Sequence, residues 1–268
     1  MEGGIRKRRR RSLAIAICGA VALLGLIWAV GAGAELTQKG NLFVRFDGGL
    51  QPPALPRDRP APIAVRIEGT IRVPSGQEPP ALRRIRVALN KAGRMDTRGL
   101  PSCRKSELDS VDSAKALARC GSALVGSGGI TAITSFEDQP NYLMRGEVLL
   151  FNASVHGKEA ILAHVFQNKP VPIIRVITFH ITHPGGRFGT VLDATIPKSM
   201  NRNGYLKSIY LQLQRKFVYR GQRRSYLSAN CGAPSGFGSA SFPFAHASMS
   251  FDDGRTLAST LIRTCRVS

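Results

Sequence analysis

The sequence predicts a mainly β fold, an antiparallel β-sandwich or a partly closed barrel with one short helix. Three observations support this fold class. Apolar and polar residues alternate along many short segments, of which 63–73 is the clearest, as expected for strands with one buried face. Glycine-containing turns separate neighbouring segments, as in hairpins. Only segment 109–120 combines capping residues with an apolar stripe of helical period.

The strand candidates share short length, apolar character and turn residues at their ends. They are 42–46, 63–73, 82–89, 130–136, 146–155, 159–167, 173–182, 188–196, 205–219, 225–230, 245–251 and 256–265. Tight turns at Gly157, at Gly185 with Gly186, at Gly221 and at Asp253 with Gly254 would join neighbouring strands as hairpins. The proline-rich segment 51–62 cannot donate regularly to a sheet and is predicted as an extended surface crossing.

The helix predicted over 109–120 has Asp109 or Ser110 as its N-cap and ends at Gly121. It is expected to lie over one end of the sheet. Its predicted apolar face comprises Val111, Ala114, Leu117 and Ala118. The glycine-rich segment 123–129 follows this helix and leads into a strand, whereas a phosphate-binding loop leads into a helix. Its glycines are therefore expected to let the chain turn.

The N-terminus has the organisation of an export signal. Six consecutive basic residues, 6–11, precede the uncharged apolar segment 13–30, and Ala32 and Ala34 supply a signal-peptidase pattern. Cleavage after Ala34 is the favoured interpretation, and an uncleaved membrane anchor is the alternative. The predicted organisation is a leader, 1–34, an N-terminal strand with a proline-rich crossing, 35–62, and a β domain, 63–268. The expected location is secreted or on the extracellular face of the cell envelope.

Four cysteines follow the leader, and an even number in an oxidising compartment predicts two disulfides. Three pairings exist. The favoured one joins Cys103 to Cys120 and Cys231 to Cys265, because these partners are nearest in sequence, and each bond would contribute roughly 3 to 4 kcal/mol. A metal site is disfavoured because there is no C-x-x-C spacing and no adjacent histidine.

The protein is strongly basic, with a formal net charge of +21, of which +5 belongs to the leader. Such a charge favours anionic partners. Basic and aromatic residues alternate around a hairpin centred on Gly221, which is a candidate site for a phosphate-bearing polymer. The alternative is a solvated hairpin tip whose aromatic rings face the core. The candidate anion-binding residues are Arg215, Lys216, Arg220, Arg223 and Arg224, with Phe217, Tyr219 and Tyr226 as their aromatic neighbours.

No catalytic, metal or cofactor residue is predicted. His180 and His183 form an H-x-x-H pair, but residues three apart on a strand face opposite sides. Ser154, His164 and Asp193 are not predicted to form a catalytic triad, because the sequence has no G-x-S-x-G elbow.

Several motifs together resemble a family of exported β-rich proteins from high-GC Gram-positive bacteria to which no activity is assigned. They are LPRDRPAPIAVRIEGTI, GLPSC, ALARCGSALVGSG, RFGTVL and RSYLSANCGAP. The resemblance covers nearly all of the chain after the leader, and it implies an exported β domain without supplying catalytic residues.

The leading functional hypothesis is a non-catalytic domain of the envelope or extracellular space that binds an anionic envelope polymer or a protein partner through its basic C-terminal half. Specific nucleic-acid recognition is not expected, nor is a cofactor, and membrane contact is expected only through residues 13–34. One alternative is an exported hydrolase whose site is assembled from distant strands. Another is a structural subunit that binds a protein through a sheet edge or an apolar patch.

Overall fold

A computed structural model describes residues 33–135, 140–169, 171–198 and 204–268. The predicted export segment lies outside the described residues. Residues 34–268 form one compact unit. Among the described residues, no helix has both the length and the apolar character needed to cross a membrane.

The described residues form eighteen strands and two short helices. The helices are α1 (Lys105–Leu108) and α2 (Ser113–Cys120), and a 3₁₀ turn follows at Gly121–Ala123. The strands are β1 (Glu35–Lys39), β2 (Leu42–Gln51), β3 (Ala54–Leu55), β4 (Ala61–Pro62), β5 (Ala64–Arg72), β6 (Leu82–Asn90), β7 (Gly93–Met95), β8 (Leu124–Thr134), β9 (Tyr142–Val155), β10 (Lys158–Gln167), β11 (Ile173–Thr182), β12 (Phe188–Thr195), β13 (Gly204–Leu213), β14 (Lys216–Tyr219), β15 (Gln222–Ser225), β16 (Leu227–Ala229), β17 (Ser239–Phe251) and β18 (Thr256–Val267).

Thirteen strands form one curled sheet, which confirms the predicted mainly β, partly closed barrel. Their order is β1-β2-β5-β13-β8-β9-β10-β11-β12-β6-β17-β18-β3. The sheet curls until β18 lies beside β1 and β2. Strands β14 and β15 form a separate hairpin, and β4, β16 and β7 form a small second sheet.

Side chains bridge the seam between β18 and β2. Arg263 is only 8% exposed, and its Nη2 donates to Asp47 Oδ1 at 2.8 Å while its Nε donates to the Gly48 carbonyl oxygen. Arg255, which directly precedes β18, similarly donates through Nη1 to the carbonyl oxygen of Lys39, the last residue of β1, at 3.0 Å. Arginine side chains therefore bridge β18 and the turn before it to β1 and β2, which no strand ladder joins to β18 in the described part of the chain.

The four predicted hairpins are confirmed. Strands β9 and β10, β11 and β12, β14 and β15, and β17 and β18 are antiparallel pairs, each joined at the expected glycine-containing turn. The predicted strands over 205–219 and 225–230 are each interrupted in the structure, at 214–215 and at Tyr226. The proline-rich crossing contains the short strands β3 and β4.

Both favoured disulfides, Cys103–Cys120 and Cys231–Cys265, are present. The first ties the helical segment together, and the second ties the chain after β16 to β18. The helical segment covers the outer face of β9 and β10, where its buried residues pack on Leu149, Phe151 and Leu162. Strands β9 and β10 are consequently buried on both faces.

The predicted start of the helix is wrong, and of its predicted apolar face only Val111 is buried. Ser110 has a positive φ of 61°, which separates α1 from α2, and the N-cap is Asp112, whose carboxylate accepts from the Lys115 backbone N–H at 2.8 Å. The Cys103–Cys120 bond turns the face with Cys120 and Ala116 inward. Leu117 is therefore 39% exposed, and Ala114 and Ala118 are also exposed.

The glycines of 123–129 do not turn the chain, contrary to expectation. Gly126 and Gly128 lie within β8, where they allow β13 to approach closely. A Cβ atom at Gly128 would overlap the Tyr210 carbonyl oxygen. These glycines therefore serve strand packing.

Candidate ligand cavity

The two ends of the barrel differ, and strand directions define them. At the cavity end, β8, β10 and β12 finish and β9, β11 and β13 begin. At the hairpin end the same strands have their opposite termini, and the chain continues from β13 into the β14–β15 hairpin. The antiparallel order thus places the β14–β15 hairpin at the opposite end from the first residues of β13.

A cavity of about 550 Å³ lies inside the barrel at the cavity end. Its walls come from β6, β8, β9, β10, β11 and β13, and β6 and β13 are not paired with each other. Lining residues alternate along the strands, as in Ile173, Ile177 and Phe179 of β11, which is the inward set of a barrel strand. The volume falls within the usual range of small-molecule sites.

The cavity wall is mainly apolar. Among the described lining residues, only Thr134, Gln167, Arg175 and Tyr205 have polar side chains, and none is acidic, a histidine, a serine or a cysteine. Thr134 Oγ1 already lies 3.8 Å from the Met144 sulfur. The wall therefore favours an apolar occupant with few polar contacts.

Gln167, the last residue of β10, is the exceptional side chain of this wall. It is only 2% exposed, and neither its amide nitrogen nor its amide oxygen has a hydrogen-bond partner in the described part of the chain. Leaving such groups unpaired typically costs about 1 to 3 kcal/mol each. A buried, unpaired amide at the edge of an apolar cavity indicates a position for a polar ligand atom.

The cavity reaches the surface at its rim. Val171 lines it and is 54% exposed, and Arg175 is also exposed. Part of the rim is fixed by Ser135, whose hydroxyl donates to Glu78 Oε1 at 2.9 Å. Burial, followed by the charge of Glu78, raises the pKa of the Tyr205 hydroxyl, so this group stays protonated and can donate.

Arg224 of the predicted anion-binding hairpin is already engaged within the fold. Its Nη1 donates to Asp96 Oδ2 at 2.8 Å, and its guanidinium lies 5.6 Å from the Tyr219 ring centre. Arg220 stacks over the same ring at 5.3 Å. The Tyr219 ring rests on Gly99, where a Cβ atom would overlap it.

The other basic residues of the hairpin divide into two groups. Arg215 is partly buried and its Nη2 lies 3.5 Å from the Ser122 carbonyl oxygen. Lys216, Arg220 and Arg223 are exposed, and within the described residues none has a carboxylate partner. Of the aromatic neighbours, Tyr226 is fully buried and cannot stack on a ligand. Phe217 and Tyr219 are half-buried.

The two histidines of the H-x-x-H pair, His180 and His183, have different neighbours. His183 Nε2 lies 2.8 Å from Glu159 Oε2, just beyond the end of β11. A hydrogen bond from Thr97, followed by the His183 contact, lowers the pKa of the Glu159 carboxyl. His180 lies across from Asp193 on β12. The His183–Glu159 pair lies at the hairpin end of the barrel.

Ser154, His164 and Asp193 do not form a catalytic triad. Ser154 lies opposite Glu159 and His164 lies opposite Leu149, so Ser154 and His164 are separated by about 16 Å along the strands. His164 is fully buried beneath the helical segment, where its Nε2 lies 2.8 Å from the Val111 carbonyl oxygen. The Asp193 carboxylate is paired with Arg84.

Sequence reasoning missed the cavity. An apolar residue at an inward strand position has the same sequence pattern whether its side chain packs in a core or faces a cavity. Residues such as Ile177 therefore do not reveal the cavity from sequence. The one usable signal was Gln167, a polar residue at an inward position that ends the apolar strand β10.

Comparison with known proteins gives no neighbour: no family model, curated protein or solved structure matches this chain.

Proposed function

We propose that the protein is an exported binding protein whose barrel takes up an apolar or amphiphilic ligand. The supporting observation is the 550 Å³ cavity with its mainly apolar wall, built inside the barrel. A cavity of roughly 150 Å³ accommodates benzene, so this one suits a ligand of about 20 non-hydrogen atoms.

Energetics argue against an incidental packing defect. If the cavity were sealed and empty, its unpacked apolar volume would cost about 24 cal/mol per Å³, which is on the order of 10 kcal/mol. That cost is comparable with the whole stability of a typical domain, about 5 to 15 kcal/mol. Water can pair with the few polar lining side chains, such as Gln167, Arg175 and Tyr205, but the apolar remainder of the wall offers it no hydrogen-bond partners.

Titration of the purified full-length protein with N-phenyl-1-naphthylamine, a neutral dye that fluoresces in apolar surroundings, tests the proposal. We expect saturable binding at one site per molecule. Ala132→Phe, which projects a ring into the cavity from β8, should weaken binding at least tenfold. Thr131→Phe, at the neighbouring position outside this cavity, is the matched control and should bind as the wild type does. Unsaturable binding, or equal binding by both variants, would contradict the proposal.

We further propose that the exposed basic residues of the β14–β15 hairpin bind a phosphate-bearing polymer of the cell envelope. Support comes from Lys216, Arg220 and Arg223, which are exposed and lack a described carboxylate partner, and from the excess of basic residues in the whole chain. Arg224 and Arg215 act here as supports of the hairpin. Export itself is proposed from the leader and from the two disulfides, which favour an oxidising compartment.

A further inference from the structure

We infer that the ligand of the cavity is a long-chain monocarboxylate, whose head group is bound by Gln167 and Arg175. This inference rests on the proposed binding function and names its ligand class. Four observations support it: the unpaired amide, the register of the two residues, the charge of the cavity wall and the cavity volume.

The register places the two side chains within reach of one head group. Gln167 pairs with Ile173, and Arg175 pairs with Val165. Gln167 and Arg175 are therefore diagonal neighbours on adjacent antiparallel strands, and both line the cavity. Diagonal neighbours have Cα atoms about 7 to 8 Å apart, a gap that two long side chains can close.

The charge of the wall determines the chemistry of the head group. Arg175 is the only charged residue among the described lining residues. Its Nη1 donates to the Ile174 carbonyl oxygen at 2.9 Å, which leaves its other N–H groups available to a ligand. One guanidinium and one amide N–H match a singly charged carboxylate, whereas a doubly charged phosphate would leave a negative charge unpaired.

The apolar part of the wall sets the direction of the chain. A smaller cavity of about 50 Å³ lies deeper in the barrel and shares Ile85, Phe179, Ile209 and Leu211 with the main cavity. A carboxylate at the rim would direct its hydrocarbon chain along these residues. A chain of 16 to 18 carbons with its carboxylate matches the estimate of about 20 non-hydrogen atoms.

Displacement of N-phenyl-1-naphthylamine by hexadecanoate and by hexadecan-1-ol, at a pH that keeps the acid ionised, tests the inference. Both probes have the same hydrocarbon chain and differ in the head group. We expect the wild type to bind hexadecanoate about ten to one hundred times more tightly than the alcohol, since a charge-assisted hydrogen bond is stronger than a neutral one.

Two variants and a control complete the test. Gln167→Leu and Arg175→Met should each reduce the preference for hexadecanoate over hexadecan-1-ol at least tenfold, and because this preference is a ratio of two displacement constants in the same variant, any change in dye affinity cancels. Gln167→Leu should also raise the melting temperature without ligand, because it removes the unpaired amide. Arg145→Met, an exposed position outside the cavity, is the control and should keep the wild-type preference.

The outcomes separate the inference from the proposed function. If the dye binds but the two probes compete equally in the wild type, or if Gln167→Leu and Arg175→Met keep the preference, the carboxylate assignment is wrong and the apolar binding function stands. If no saturable dye binding occurs, the proposed function itself fails.

Discussion

Asp96 lies between two arginines at the hairpin end, and this position controls its ionisation. Arg98 Nε donates to Asp96 Oδ1 at 2.9 Å and Arg224 Nη1 donates to Asp96 Oδ2 at 2.8 Å. The hydrogen bond from Arg98 is the largest cause that lowers the pKa of Asp96 from 3.8 to about 2. The folded state therefore favours the ionised carboxylate.

We expect Asp96 to stabilise the fold fully above about pH 4 and to lose this effect as the pH falls towards 2. A lowered pKa in the folded state means that the unfolded chain takes up the proton first, so acid weakens the fold. Urea unfolding of the wild type and Asp96→Asn from pH 6 to pH 2 should show different stabilities at pH 6 that converge at pH 2. Asp58→Asn, at an exposed position without an ion pair among the described residues, should show no such convergence.

Single residues with a chemical signature were predictable, and those without one were not. The cysteines were paired correctly because sequence proximity correlates with the compact segments they tie together. The Gln167 amide is unpaired and the Tyr226 hydroxyl is buried, and burial is the main cause that raises the pKa of Tyr226. Both properties depend on which residues the fold places around these side chains. No local pattern reports those neighbours.

The β14–β15 hairpin provides the test of the proposed polymer binding. Replacing Lys216, Arg220 and Arg223 together by glutamine should weaken retention on immobilised poly(glycerol phosphate). The slope of log affinity against log salt should fall by about two if each residue contacts one phosphate. A matched variant that replaces the exposed Arg59, Lys115 and Arg145 removes the same charge elsewhere and should have a much smaller effect. Equal losses in the two variants would indicate that only net charge matters.

Elements defined by local contacts were predicted well, and elements defined by distant ones were not. Hairpin turns such as that at Gly221 depend on a few adjacent residues, including the positive φ of Arg220 and Gly221. The start of α2 depended on the left-handed conformation of Ser110, and the role of Gly128 depended on β13, more than 70 residues away in sequence. Long-range contacts therefore override local pattern at these places.

For the molecule as a whole, Arg263 is expected to hold the barrel seam together. Arg263→Leu should lower the free energy of unfolding by about 3 kcal/mol, because it removes the hydrogen bonds from Arg263 to Asp47 and to the Gly48 carbonyl oxygen and leaves Asp47 only its longer contact with Arg45, at 3.9 Å. Chemical denaturation measures this, with Arg266→Leu as the control at an exposed position of the same strand. If Arg263→Leu were as stable as Arg266→Leu, the seam would not depend on this ion pair.

The fold class was predictable from strand and turn patterns, whereas the strand order was not. Strand β13 lies between β5 and β8, and β6 lies between β12 and β17, pairings that no adjacent residues specify. The cavity depends on that order, because unpaired strands such as β6 and β13 face each other only after the sheet has curled. A candidate site of this kind therefore emerges only from the three-dimensional structure.

The cavity rim and the β14–β15 hairpin lie at opposite ends of the barrel. A molecule tethered to a surface through the hairpin would turn its opening away from that surface, towards the surrounding medium. A ligand would then enter and leave the cavity while the hairpin stays bound to the surface, and the two binding sites would not obstruct each other.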